Sequence, residues 1–585
     1  MLHRIKSSLC ALHATPVCQR WHGAVPLEHA QPRLTLIQHK VCHFLAIVSA
    51  PVYILKSLRI GYYPRIFDGL SWMATTSFSR WFLPTLSGIL LALSFPGPPI
   101  QSVAFLYQPL WAHIALLPLM LAVAHGTRRR ALHSGWIAGT TFNLICLYWV
   151  AYTQGGGPAV VGGTLLLALY LGLFVALWAL GVHLVIERWG STGWIAAPAL
   201  WTAQEYALSL GELGFPWLLL GHGQAGETHV VQFAALTGVY GVSYWIVLIN
   251  ALLFLLIHAE RPARWLWGTA LVSAILLPWL HARSVLAEEH PSETLRIALI
   301  QPNLSLEEKW GTGGLTRSIE RLGQLSHSAV DQRPDLIVWP ETALPCYLSL
   351  TADCNRRVQA LVDTLDTPLL TGASHYDMER QQPYNSAFFL QPNQADMPHY
   401  AKMHLVPFGE RTPYRDSIPF LREIDWTQLT GDLGPAEFAP GLQRTIFSHE
   451  RANFAVLICF ESVFPDLVRR HVLAGAQLLV NITNDSWFGR SAGPYQHALL
   501  NAMRAIENRV AIARSATSGQ SLFIDRFGRR YQMSEIFTQA VLVGDVSIAP
   551  SGSFYSRHGD LFAQACLLFT ALALVVSRMR KRINL

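Results

Sequence analysis

Glu341, Lys402 and Cys459 each stand just beyond a short apolar run: Glu341 after DLIVWP, Lys402 inside HYAKMHLVPFGE, and Cys459 at the end of FAVLIC. Loops at strand ends are where an α/β scaffold presents reacting groups. A cysteine attacks as thiolate, so it needs a base for its proton and a positive neighbour for the anion. In that chemistry Glu341 takes the thiol proton, and Lys402 favours the thiolate and stabilises the oxyanion of a tetrahedral intermediate. Cys459 then carries an acyl group as a thioester, which divides one acyl transfer into two steps. Residue types alone leave a bland alternative open, because a free cysteine at a strand end is commonly packed core.

The elements that must hold these groups lie between about Arg283 and Arg557. Strand-like runs there are Leu295–Gln301, Asp335–Trp339, Leu369–Ala373, Ser386–Gln391, Phe454–Cys459 and Gln477–Thr483, alternating with amphipathic segments and Pro/Gly turns. Several are apolar throughout, as strands covered on both faces are. Outside this region the texture changes. Only 11 charged residues occur in the 202 positions from Trp81 to Ala282. Seven apolar runs, at roughly 81–97, 102–125, 132–153, 159–186, 194–210, 229–257 and 264–282, approach the length of about 20 residues that a bilayer requires. An eighth, Leu561–Val576, is followed by Arg578, Arg580, Lys581 and Arg582.

The whole chain of 585 residues is 51% hydrophobic and 14% charged, against about 25% charged in soluble domains. That balance argues against a wholly soluble protein and excludes a disordered or collagen-like one. The net charge of +7 does not indicate nucleic acid, because much of the excess sits in the first eighty residues and the last five. Arg128–Arg130, Arg188, Arg261 with Arg264, and the terminal cluster fall on one side if the spans alternate, while the loops at Gly155–Pro158 and Gly211–Thr228 carry no Lys or Arg. The positive-inside rule puts the basic set in the cytoplasm and the large domain on the opposite face. The expected division is a basic N-terminal extension (1–78), a seven-span block (79–282), a catalytic domain (283–557), and a last span with a cytoplasmic tail (558–585). Residues 1–80 hold nine Lys/Arg and two acids; they read as a disordered leader or as the product of a start upstream of Met73.

The segments WPETALP (339–345), KMHLVPFGE (402–410), LICFES (457–462) and NDSWFG (484–489) resemble the nitrilase superfamily. That resemblance implies a Glu-Lys-Cys triad on an αββα sandwich. Together with the apolar blocks, and with the stretch at 197–224, the chain from about 78 to 582 resembles the apolipoprotein N-acyltransferase family. The implied fold is an α-helical transmembrane bundle of about eight spans plus a nitrilase-like α/β domain. The implied reaction takes an acyl chain from a phospholipid, typically phosphatidylethanolamine, to the enzyme cysteine, and then to the N-terminal diacylglyceryl-cysteine of an apolipoprotein. By the same resemblance Glu341 is the base, Lys402 the oxyanion stabiliser and Cys459 the nucleophile. Glu410 and Glu461 match further acids of the family, and Trp310 matches a tryptophan on a mobile arm at the lipid entrance. Trp487 and Phe488 stand as acyl-chain contacts or as core packing. Phe460 occupies a position where the family commonly has tyrosine, so no hydroxyl role transfers to it. The expectation is a monomer in a bacterial inner membrane, its catalytic domain periplasmic, with no cofactor, metal or nucleic acid.

Two other readings compete: a membrane-anchored amidase using water as acceptor, and a transporter or sensor without catalysis. Pro407–Tyr414 and Trp487–Tyr495 read as lids over an acyl chain. Glu205, inside the fifth run, is either functional or a buried hydrogen-bonding group. Cys346 and Cys354 are either bonded or free, since spacing does not give their separation. The sequons at Asn303 and Asn481 read as chance matches, and the histidines show no metal-binding spacing.

Overall fold

The computed structural model describes residues 79–154, 157–287, 293–423, 437–548 and 552–579. The readings of residues 1–78 and of the basic tail from 580 onward lie outside the described residues.

The N-terminal block is helical: α1 (Ser79–Ala92), α2 (Leu117–Ala124), α3 (Arg128–Leu147), α4 (Gly157–Trp189), α5 (Ala197–Leu208), α6 (Ala234–His258) and α7 (Arg261–Ala287). Gly135 and Gly139 let α3 lie against α4, since a Cβ on Gly135 would come within 2.5 Å of the Val175 carbonyl oxygen. Small residues that bring helix backbones together are the usual packing device in lipid. Among the described residues four helical stretches are long and apolar enough to cross a bilayer: Gly157–Leu208, Val231–His258, Arg261–Ala287 and Leu561–Arg578. A pair bent by 50°, Gln101–His113 with Leu117–Ala124, makes a fifth if it is one span.

The second apolar run is therefore broken rather than continuous. Pro109 and Pro118 supply no backbone N–H, and Asn250 of α6 serves the interrupted backbone. Its Oδ1 accepts from Leu116 N at 3.0 Å and its Nδ2 donates to Ala112 O at 2.8 Å. Irregular backbone at membrane depth is tolerated where protein groups satisfy it in this way. α6 has its own break at Gly238 (φ +67°), and the N–H of Val239 donates to Glu507 Oε1 at 2.7 Å.

The catalytic domain is built from β1 (Thr294–Gln301), α8 (Leu306–Trp310), α9 (Gly314–Val330), β2 (Leu336–Val338), β3 (Leu344–Tyr347), α10 (Ala352–Leu365), β4 (Leu369–Asp377), β5 (Gln382–Leu390), β6 (His399–Ala401), β7 (Phe447–Ser448), β8 (Asn453–Ile458), α11 (Pro465–Leu473), β9 (Leu478–Thr483), α12 (Gly493–Asn508), β10 (Ala511–Ala516), β11 (Leu522–Ile524), β12 (Arg530–Tyr531) and β13 (Ala540–Ser547). Then α13 (Phe554–His558) leads to α14 (Leu561–Met579).

A seven-stranded sheet has the order β13-β1-β2-β4-β5-β6, with β3 on β4, and a six-stranded sheet runs β12-β11-β10-β9-β8-β7. Leu295, Ile297 and Leu299 of β1 join the core shared with Phe454, Val456 and Ile458 of β8. Ala298 and Ile300 face Leu322 of α9 and Val358 of α10 instead. The two faces of β1 thus feed two apolar layers, the period-2 consequence of a strand covered on both sides. α11 and α12 cover the second sheet, so the layers run helix, sheet, sheet, helix.

Candidate active site

β2, β6 and β8 each end where a functional group begins. Glu341 follows β2 by three residues, Lys402 follows β6 directly, and Cys459 follows β8 directly. Lys402 Nζ lies 3.3 Å from Glu341 Oε1 and 2.9 Å from Glu410 Oε2. Asn385 of β5 bridges the two acids, its Nδ2 donating to Glu341 Oε1 at 2.8 Å and Glu410 Oε1 at 2.9 Å. The second oxygen of Glu341 accepts the backbone N–H of Asn484 at 2.9 Å, which ties the end of β2 to the end of β9 across the sandwich. Lys402 is only 1% exposed. Burial alone disfavours its ammonium, but Glu410 and Glu341 outweigh that and hold it protonated well above the ordinary lysine range.

Cys459 sits in the left-handed region at φ +52°, a conformation costly for a residue with a Cβ. Its carbonyl oxygen accepts from Ser462 Oγ at 3.1 Å, and His497 Nε2 lies 3.1 Å from the same oxygen. Burial pushes the thiol up, Glu341 pushes it further, and Lys402 with the Thr483 hydroxyl pulls the other way.

Glu461 joins the two halves. Its Oε2 accepts from Ile458 N at 2.7 Å, while its Oε1 accepts from Tyr400 O–H and Met403 N, both at 2.7 Å. It is fully buried and touches the backbone on both sides of the site rather than the reacting groups.

A second buried network was not legible in the sequence. His497 Nδ1 donates to Asp485 Oδ1 at 2.9 Å, and Arg514 NH2 donates to Asp485 Oδ2 at 2.7 Å. All three are 0% exposed. Burial would raise the Asp485 carboxyl, but Arg514 and His497 bring it below its ordinary value. The only available signal was Asp485 itself, inside the NDSWFG segment.

The remaining candidates fall elsewhere. Phe460 packs against Phe215 and Trp217 of the membrane block at 5.9 and 6.2 Å and against Phe464 at 5.0 Å, so its ring is a packing element. Phe488 lies edge-on to Trp149 at 4.5 Å, and the carbonyl of Trp487 accepts from Gln154 N at 3.2 Å. Trp310 is 57% exposed. None of Trp310, Trp487 and Phe488 has a described hydrogen bond or ring contact with Glu341, Lys402 or Cys459. Glu205 Oε1 accepts from Trp201 Nε1 and Leu220 N, both at 2.8 Å, which favours the hydrogen-bonding reading. Cys346 and Cys354 are disulfide-bonded. Asn481 is fully buried and donates to Leu457 O, so that sequon is inaccessible.

The catalytic domain is seated on the helices through α12. Gln496 Oε1 accepts the indole N–H groups of Trp149 and Trp217 at 3.1 and 3.0 Å. Its Nε2 donates to Pro96 O and Cys146 O at 3.0 and 3.2 Å. The Lys402 ammonium lies between the carboxylates of Glu341 and Glu410, and the Cys459 thiol is within electrostatic reach of Glu341 and Lys402.

Two family models match the chain. The apolipoprotein N-acyltransferase N-terminal domain matches residues 87–252 and the carbon-nitrogen hydrolase model matches 296–554. The chain is similar to an apolipoprotein N-acyltransferase of Geobacter metallireducens, 36% identical over 86% of this chain and 96% of that one. It is also similar to one of Chlorobaculum tepidum, 35% identical over 86% of this chain and 97% of that one. Among solved structures, an amidase of the nitrilase superfamily from Nesterenkonia covers 47% of this chain and 98% of its own, at 17% identity and a TM-score of 0.35. With relatives this similar over nearly their whole length, the chain belongs to the apolipoprotein N-acyltransferase family.

Proposed function

We propose that Glu341, Lys402 and Cys459 carry the acyl transfer, Cys459 as nucleophile, Glu341 as base and Lys402 as oxyanion stabiliser. The protein is a lipoprotein N-acyltransferase of the membrane. In the first half-reaction Glu341 takes the Sγ proton as the sulfur attacks the ester carbonyl of a phospholipid. The oxyanion forms beside Lys402, and the lysophospholipid alkoxide leaves with the proton held by Glu341. In the second, the α-amino group of the diacylglyceryl-cysteine attacks the thioester. Glu341 accepts the amine proton and returns it to the departing thiolate, which restores the enzyme.

The observation that carries this assignment is the buried Lys402 ammonium between Glu341 and Glu410, next to a strand-end cysteine whose thiol responds to both Glu341 and Lys402. Because one chain supplies every group, a monomer is the working unit. We assign phosphatidylethanolamine as donor by family resemblance. The eight apolar runs of the sequence and the one-sided Arg loops favour about eight spans in a bacterial inner membrane, divided near residues 78, 282 and 557, with the catalytic domain periplasmic.

Mass spectrometry after incubation with phosphatidylethanolamine alone tests the assignment. A stable thioester on Cys459, discharged by a diacylglyceryl lipopeptide, supports it. Rapid release of free fatty acid without lipopeptide supports a hydrolase instead.

A further inference from the structure

We propose that Lys309 forms an anion subsite that holds the phosphodiester of the acyl-donor phospholipid while Cys459 attacks its ester; this rests on the assignment of Cys459, Lys402 and Glu341 above.

α8 leaves the end of β1, next to β2, whose end carries Glu341. A capping box fixes its start: Ser305 Oγ accepts from Glu308 N at 3.2 Å and Glu308 Oε2 accepts from Ser305 N at 2.9 Å. Lys309 points inward from this turn and is 3% exposed. Among the described residues its ammonium has no hydrogen bond and no ion pair; its one described contact is the Trp310 ring, at 5.6 Å. The acids beside it in sequence do not serve it, since Glu308 is committed to the cap and Glu307 is exposed. Glu341 is within electrostatic reach, but both of its oxygens are already taken by Lys402, Asn385 and Asn484.

An ammonium on a side chain this little exposed, with no counter-ion among the described residues, is disfavoured, and a cation–π contact offsets only part of that. Burial brings Lys309 down to about 8, with Glu341 opposing. An anion delivered by a ligand would convert the cost into a charge-assisted hydrogen bond. Only one substrate delivers such an anion near its reacting atom. A glycerophospholipid carries its phosphodiester a few bonds from the ester carbonyl, whereas the acceptor's amine, thioether and diacylglyceryl groups carry none. Lys402 is held for the oxyanion, so Lys309 is the cation left for the phosphate. Its effect belongs to the first half-reaction, and it does not discriminate among head groups.

The test uses the full chain in detergent micelles and follows thioester formation on Cys459 by intact-protein mass spectrometry. The donors are dipalmitoylphosphatidylethanolamine and p-nitrophenyl palmitate, an ester without phosphate. For Lys309→Gln the ratio of the two acylation rates at low donor should fall roughly 10- to 100-fold, as expected for losing a charge-assisted bond. The loss should appear in KM for the phospholipid and be largely rescued by Lys309→Arg. Discharge of the thioester by lipopeptide should not share it. Equal slowing with both donors, or a phospholipid KM unchanged in Lys309→Gln, would overturn the subsite. Absence of any adduct in the unsubstituted protein would instead count against Cys459 as nucleophile.

Discussion

Glu461, two residues after Cys459, accepts the backbone N–H of Met403, one residue after Lys402, at 2.7 Å. Cys459 and Lys402 follow strands of different sheets, and this carboxylate bonds the backbone beside both. The Tyr400 hydroxyl and the Ile458 and His404 N–H groups also donate to it, while burial lifts its pKa to about 7 against those hydrogen bonds. Glu461→Gln keeps the shape but turns an amide donor toward groups that are themselves donors. It should cost about 1–3 kcal/mol of stability and slow thioester formation more than lipopeptide discharge. Tyr400→Phe removes one hydrogen bond and should cost about 0.5–1.5 kcal/mol. Thermal unfolding with single-turnover mass spectrometry separates the two effects.

Removing Lys402 leaves Glu341 and Glu410 facing one another with no cation between them. Lys402→Ala should abolish acyl transfer and destabilise the protein by about 3–5 kcal/mol, the range for breaking a buried pair. Adding Glu341→Gln and Glu410→Gln should restore much of the stability without restoring activity. Denaturation midpoints and acyl transfer, measured on the same preparations, check both halves.

The pH behaviour of the thiol follows from its surroundings. Burial first, then Glu341 and Asp485, raise its pKa, while Lys402 and Thr483 lower it. An exposed cysteine titrates near about 8.5, so its alkylation rate levels off above that value. A thiol with a raised pKa stays protonated through that range and reacts slowly. Iodoacetamide labelling of Cys459, followed by peptide mapping, should be still rising at the alkaline end of the accessible range. Lys402→Ala should make it slower again, since the ammonium that favours the thiolate is gone. A labelling curve with a plateau near neutrality would contradict this.

Gln496 uses both ends of its amide to seat the catalytic domain on the helical block. Gln496→Leu leaves the indole N–H groups of Trp149 and Trp217 buried without acceptors, at a cost of about 1–3 kcal/mol each. His497, the next residue, lies against both the Trp217 ring and the Cys459 carbonyl oxygen. The substitution should therefore lower the acylation rate as well as the unfolding temperature. Unchanged acylation in a destabilised protein would show that the seat and Cys459 are independent.

The apolar runs of the sheets were readable because a strand covered on both faces is apolar along its whole length, and that pattern is local. Six strand segments and the contrast between membrane and catalytic blocks came from it, whereas the roles proposed for Glu341, Lys402 and Cys459 came from the family resemblance. Hydrogen-bond partnership is not local. Trp217 and Gln496 are 279 positions apart, Glu341 and Asn484 are 143 apart, and no periodicity relates them. The Cys346–Cys354 bond, the structural duty of Glu205, the packing of Phe460 and the Asp485–His497–Arg514 network were decided only by folding. So was the break in the second apolar run, where hydropathy reads one helix and Asn250 of another helix serves the turn. Sequence pattern reports which face of an element is buried. Which polar group meets which depends on distances that exist only once the elements have packed.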